Sequence, residues 1–200
     1  MRLLTYSLPV GRVMGIPLRI NWILLLFIPF FVGRFVPDLR TSGRVGWIML
    51  LLGTLYVAIL YGSILLHELG HAWGMRLVGE GCHEIQLTPL GGIAIGGGGN
   101  HSPRTELLVV GLGPAVSALL ALAGWITSAL LDRFDWSQSE FYSYFVVSSA
   151  VGFLYGLNLM LFLFNVFTPI FPLDSAKLLR ALLSLRFDPQ KMTYYVANLG

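Results

Sequence analysis

Charge is scarce in this 200-residue chain: 12% of its residues are Asp, Glu, Lys or Arg, where soluble domains carry about 25%. A soluble chain of this length can bury a core, but it cannot hide a composition that is 56% hydrophobic. Cysteine is nearly absent, and Cys82 alone excludes an internal disulfide framework. Basic runs are lacking too. The formal net charge of +3 comes from scattered residues, so no stripe is available to a nucleic acid. No internal repeat or low-complexity tract is visible. With a mean hydropathy of +0.74, the composition reads as an integral membrane protein; one domain is expected over residues 1–200, with its core at about 45–187.

A bilayer-spanning helix needs about 20 mainly apolar residues. Four stretches meet or approach this: residues 20–36, 47–66, 107–131 and 144–167. No small-residue cleavage site follows the first before Gly33-Arg34-Phe35, so it reads as a retained span and not as a signal peptide. With the N-terminus in the cytoplasm and alternating spans, Arg2, Arg12, Arg19, Arg76, Arg104, Lys177, Arg180, Arg186 and Lys191 share the cytoplasmic side. Arg34, Arg40, Arg44 and Arg133 face the other side, and the imbalance favours this orientation, in the cell membrane.

The connectors add detail. Ile85-Gln86-Leu87-Thr88 and Ile93-Ala94-Ile95 flank Pro89-Leu90-Gly91-Gly92, which predicts a β-hairpin. Ser102 is placed as N-cap and Pro103 as first residue of the third helix, with Glu106 in its first turn. A short amphipathic helix is expected over 175–185. The fold class is therefore an all-α polytopic membrane protein: about four transmembrane helices, a small β-hairpin and a C-terminal amphipathic helix.

An ionisable group at membrane depth marks a functional site. Glu68 continues directly from the second apolar run and Asp174 from the fourth. Glu68 belongs to His67-Glu68-Leu69-Gly70-His71, an H-E-x-x-H on a helix. Residues four apart share a helix face, so both imidazoles reach one ion, with Glu68 beside them to act on a water. A catalytic zinc usually takes three protein ligands. His83, His101, Glu80, Glu84 and Cys82 are weak candidates in a Gly-rich connector. Asp174 is the strong one, because the second and fourth spans descend to the same side of the membrane. Thr168-Pro169-Ile170-Phe171-Pro172 breaks the helix just before it, and broken backbone at that depth lines a protein-enclosed cavity. The bland reading has Asp174 as N-cap of the helix that follows. Gly62, Gly70 and Gly74 are expected to let another helix approach closely, and Gly113-Pro114 to free a carbonyl in the third span.

These residues resemble the site-2 protease family of intramembrane zinc metalloproteases. His67 to His71 is similar to its H-E-x-x-H. Asn165 through Pro172-Leu173-Asp174 is similar to its N-x-x-P-x-x-P-L-D-G element, whose Asp is the third zinc ligand. Gly113-Pro114-Ala115-Val116-Ser117 resembles its G-P-x-x-N, Pro89-Leu90-Gly91-Gly92 its hairpin, and Gly15-Ile16-Pro17-Leu18-Arg19 the approach to its first span. Four departures stand out: Ser175 for the Gly, Ser117 for the Asn, Asn165 four residues before Pro169 instead of three, and Asn21 where many relatives carry His. The resemblance implies one Zn2+ per chain, held by His67, His71 and Asp174, with Glu68 as general base. The substrate is then a transmembrane protein, met among membrane lipid and without nucleic acid. Asn165 becomes a candidate for the oxyanion or for substrate backbone, an interhelical hydrogen bond being the alternative. Ile93 and Ile95 become candidates for pairing with an extended substrate. A catalytically inactive scaffold of the same family and a small transporter are the competing functions.

Overall fold

The computed structural model describes residues 6–34, 43–89, 91–96, 102–168 and 173–197. His101, Leu90 and residues 169–172 of the expected helix break lie outside them. The chain starts with a hairpin, β1 (Ser7–Val13) and β2 (Ile16–Asn21), followed by α1 (Trp22–Arg34) and the long α2 (Arg44–Leu77). A second hairpin, β3 (Cys82–Thr88) and β4 (Gly91–Gly96), precedes α3 (Pro103–Leu131) and α4 (Phe141–Phe167). Two short helices, α5 (Asp174–Leu183) and α6 (Pro189–Ala197), end the described chain.

Three of these helices, over Val45–Leu77, Pro103–Leu131 and Phe141–Phe167, are long and apolar enough to cross a membrane. At 34 residues, α2 is about 51 Å long at 1.5 Å per residue, well beyond the ~30 Å hydrocarbon layer. The first expected span differs. Its apolar helix covers only Trp22–Gly33 among the described residues, because Ile20 and Asn21 belong to β2. The Oδ1 of Asn21 accepts from the Ile23 amide at 2.9 Å and starts the helix there.

The expected hairpin is present, but as half of a four-stranded sheet ordered β1-β2-β3-β4. A two-residue turn joins β1 to β2, with Met14 at φ 52° and Gly15 at φ 84°, the positive angles that tight hairpins require. β2 then runs parallel to β3, with Leu18 opposite Ile85 and Ile20 opposite Leu87. Arg19 ties the first hairpin together, its Nη2 donating to the Ser7 carbonyl at 2.7 Å. The sheet lies against the C-terminal half of α2. Ile85 packs with Ile16 and Ala72, and Leu87 with Leu24 and Ile64.

Small residues set the helix crossings. A Cβ on Gly70 would sit 2.6 Å from the Leu112 carbonyl oxygen, and one on Gly74 2.8 Å from the Val109 Cα, so α2 and α3 meet backbone to backbone. Gly62 has open space around it and plays no such part. Ser102 caps α3, accepting from the Thr105 amide at 3.2 Å, with Pro103 as first helical residue. Arg180 of α5 forms an ion pair with Glu106 in the first turn of α3.

Candidate metal centre

The H-E-x-x-H sequence lies within α2, and α3 packs along it through one stripe: Val109, Gly113 and Ser117, each four residues from the next. His67 turns its Nδ1 to the Ser117 hydroxyl at 2.9 Å. The Nδ1 of His71 meets the Val109 carbonyl at 3.0 Å. Gly113 provides room between them, since an added Cβ would overlap the Nε2 and Cε1 of His71. Pro114 frees the Val110 carbonyl by lacking an N–H, whereas the carbonyl that His71 uses is the neighbouring one.

With both Nδ1 atoms engaged, the two Nε2 atoms converge to 3.2 Å. Asp174, the first residue of α5, brings its Oδ2 to 3.0 Å from the Nε2 of His67 and 2.9 Å from that of His71. His67, His71 and Asp174 are 5%, 7% and 7% exposed. They form a group whose ligand atoms lie within 4.8 Å of one another.

The chemistry of these donors tests whether a cation fits. A carbonyl only accepts, so the Val109 oxygen requires a proton on the Nδ1 of His71, and in the neutral ring this leaves the Nε2 lone pair for a ligand. That lone pair faces the other imidazole and a carboxylate. A carboxylate oxygen and two ring nitrogens held together out of water need a proton or a metal cation among them. The edges of 2.9, 3.0 and 3.2 Å also approach the ~3.3 Å ligand–ligand edge of a tetrahedral zinc with bonds of about 2.0–2.1 Å. The residues fit zinc.

Glu68 is 8% exposed and reaches β4, where its Oε2 accepts from the Ala94 amide at 2.8 Å. Gly92 makes this approach possible, because a Cβ there would lie 3.0 Å from the Glu68 Cδ. β4 is the outer strand of the sheet. Since the Ala94 amide faces outward to Glu68, alternation turns the peptide groups of Ile93 and Ile95 inward to β3. The outer edge therefore belongs to Gly92 and Ala94, where Glu68 takes the Ala94 amide, and Ile93 and Ile95 contribute exposed side chains.

Asn165 lies at the end of α4. Its Oδ1 accepts from the Asp174 amide at 3.3 Å and its Nδ2 donates to the Leu161 carbonyl at 2.9 Å. The N-cap position of α5 is Leu173, which has no capping side chain. Asp174 is thus not a cap. Asn165 satisfies the Asp174 amide, which has no partner within its helix. Lys177 reaches the second carboxylate oxygen of Asp174, Oδ1, at 3.3 Å, and Ser175 donates its hydroxyl to the Thr168 carbonyl.

The weaker candidates stand apart. His83 is exposed on β3, and neither it nor Glu80, Glu84 or Cys82 joins the cluster. Burial pushes the Cys82 thiol up, away from the thiolate that binds metal. Asn158 is interhelical: it donates to the Ser63 hydroxyl of α2 at 2.9 Å. Sequence reasoning missed the supporting roles of Ser117, Val109 and Ala94.

A bundle of apolar spans holding two histidines of an H-E-x-x-H helix and a carboxylate from a helix beyond the last span defines an integral membrane protein with a metallopeptidase-type zinc centre. The profile of Peptidase family M50 matches residues 55–200. The chain is 30% identical over 198 residues to a zinc metalloprotease of Methanocaldococcus jannaschii, covering 98% of this chain and 51% of that protein. It is also 30% identical over 179 residues to the putative zinc metalloprotease Rip3 of Mycobacterium tuberculosis, covering 88% of this chain and 44% of that one. The solved structure of a site-2 protease from M. jannaschii superposes with a TM-score of 0.62 at 27% identity, over 98% of this chain and 80% of that one. This chain belongs to Peptidase family M50, the site-2 proteases. It spans about half the length of the curated relatives it matches.

Proposed function

We propose that this protein is a zinc-dependent endopeptidase that hydrolyses peptide bonds of membrane-spanning substrates in or near the bilayer. The observation that carries the reading is the convergence of His67, His71 and Asp174 beside Glu68. His67, His71 and Asp174 are the ligands, and zinc held there supplies a Lewis acid for the peptide carbonyl and lowers the pKa of a water toward about 7. Glu68 takes a proton from the attacking water as oxygen bonds to the carbonyl carbon. It returns that proton to the amide nitrogen as the C–N bond breaks, leaving a carboxylic acid and an amine. Until then the Ala94 amide holds the Glu68 carboxylate in place.

A membrane helix shields its own peptide bonds, so the substrate must be extended locally before attack. The outer edge of β4 at Gly92 and Ala94, where a substrate strand would take over the Ala94 amide from Glu68, with Ile93 and Ile95 exposed beside it, supports strand pairing as the means. The Lys and Arg distribution supports a cytoplasmic N-terminus and a site opening toward the cytoplasm, in the cell membrane.

The test uses the full-length protein in detergent or vesicles with a tagged single-span substrate. Glu68→Gln is expected to keep one zinc per chain and to lose cleavage by about 10²–10⁴-fold. Undiminished cleavage removes Glu68 as the base. Wild-type protein without saturable zinc removes the whole reading.

A further inference from the structure

Each zinc-facing imidazole is aimed by a group on α3, and the two groups differ in kind. For His71 it is the Val109 backbone carbonyl, present whatever the side chain. For His67 it is the Ser117 hydroxyl, 2.9 Å from Nδ1. We propose that Ser117 is a positioning residue of the metal centre: it accepts from the Nδ1–H of His67, fixes the ring in the tautomer that presents a lone pair on Nε2, and so sets the affinity for the metal. The proposal rests on the zinc-hydrolase reading above.

Three observations support it. Ser117 is 0% exposed, so no water replaces its hydroxyl as partner of the ring. Hydroxyls in helices usually return to their own backbone, and Thr54 and Thr127 do so here, bonding the carbonyls of Leu50 and Ala123 at 2.8 Å. Ser117 bonds instead across the helix interface. Finally, its place in the stripe Val109, Gly113, Ser117 puts it one turn beyond the backbone contact of Leu112 and Gly113 with Gly70 of the zinc helix, and Gly113 removes the bulk that would otherwise push the His71 ring aside. Metal-ligating histidines in general donate their other ring N–H to such an outer partner, whose loss typically costs 10–100-fold in metal affinity or activity.

Ser63 supplies the control. It is equally buried at 2% exposure, lies one turn before His67 on the same helix, and accepts an interhelical hydrogen bond of the same length, but from Asn158. Zinc affinity is measured on the full-length protein by competition with a fluorescent chelator, and cobalt(II) absorption reports the ligand geometry. Ser117→Ala is expected to weaken zinc binding 10–100-fold and to alter the cobalt spectrum, while Ser63→Ala stays within twofold of wild type with its spectrum unchanged. Ser117→Ala within twofold of wild type overturns the proposal, and so does an equal loss in both variants, which would mark ordinary packing. If Ser117→Ala yields no folded protein, Ser117→Thr decides: retained affinity supports the role and a tenfold loss overturns it. A wild type that binds zinc alongside an unaffected Ser117→Ala sinks this inference alone. A wild type that binds none sinks the zinc reading beneath it.

Discussion

Gly113→Ala separates the metal centre from the fold, because the two respond in opposite directions. Within α3, alanine is the better helix former by about 0.8–1 kcal/mol, so the isolated helix gains. The new Cβ, however, would overlap the Nε2 and Cε1 of His71 and lie 2.8 Å from its Cδ2. Carbon atoms pack at about 3.5–4.0 Å, so ring and methyl must part by roughly 1 Å. His71 cannot simply slide, since the Val109 carbonyl holds its Nδ1 and the neighbouring turn of α3 is pinned by Gly70 and Gly74 at backbone contact. Metal–ligand distances tolerate only about 0.2 Å. The variant should therefore insert and fold, with helical circular dichroism like wild type, yet carry far less than one zinc per chain and cleave nothing. Gly111→Ala is the matched control, as its added Cβ meets nothing within 4 Å, and it should retain both zinc and activity. A Gly113→Ala protein with a full complement of zinc at wild-type affinity would refute the steric argument and the placement of His71 on which it depends.

Two further outcomes follow from the same geometry. Gly92→Ala should keep its zinc but lower kcat, because its Cβ would overlap the Glu68 Cγ and lie 3.0 Å from its Cδ, turning the carboxylate from the Ala94 amide; unchanged kcat in a peptide-bond cleavage assay would refute this. Asn165→Ala removes the acceptor that satisfies the Asp174 amide at 3.3 Å. A cost of about 1 kcal/mol is typical of a lost cap, and it should show as a lower Tm together with weaker zinc binding in the competition assay.

The sequence by itself determined the membrane class, the H-E-x-x-H helix and its paired imidazoles. All three follow from local rules: composition forces a lipid environment, and helical periodicity alone brings His67 and His71 to one face. The second hairpin was legible for the same reason, its alternation and Pro/Gly turn lying within a dozen residues. Asp174 was within reach only because spans alternate in direction, which carries the fourth span to the side where the second ends. The first hairpin is just as local, but its β1 strand Ser7–Val13 carries Pro9 and Gly11 and a bulge and shows no clean alternation; what no local pattern records is the parallel pairing of β2 with β3, more than sixty positions along the chain. The same holds for what surrounds the metal. Ser117 lies 50 residues from His67, Val109 38 residues from His71, and Ala94 26 residues from Glu68. Only the packed helices and sheet decide which hydroxyl, carbonyl or amide those side chains meet. A donor and acceptor bond at about 3 Å, and that closeness is a property of packing, which residue order alone does not carry.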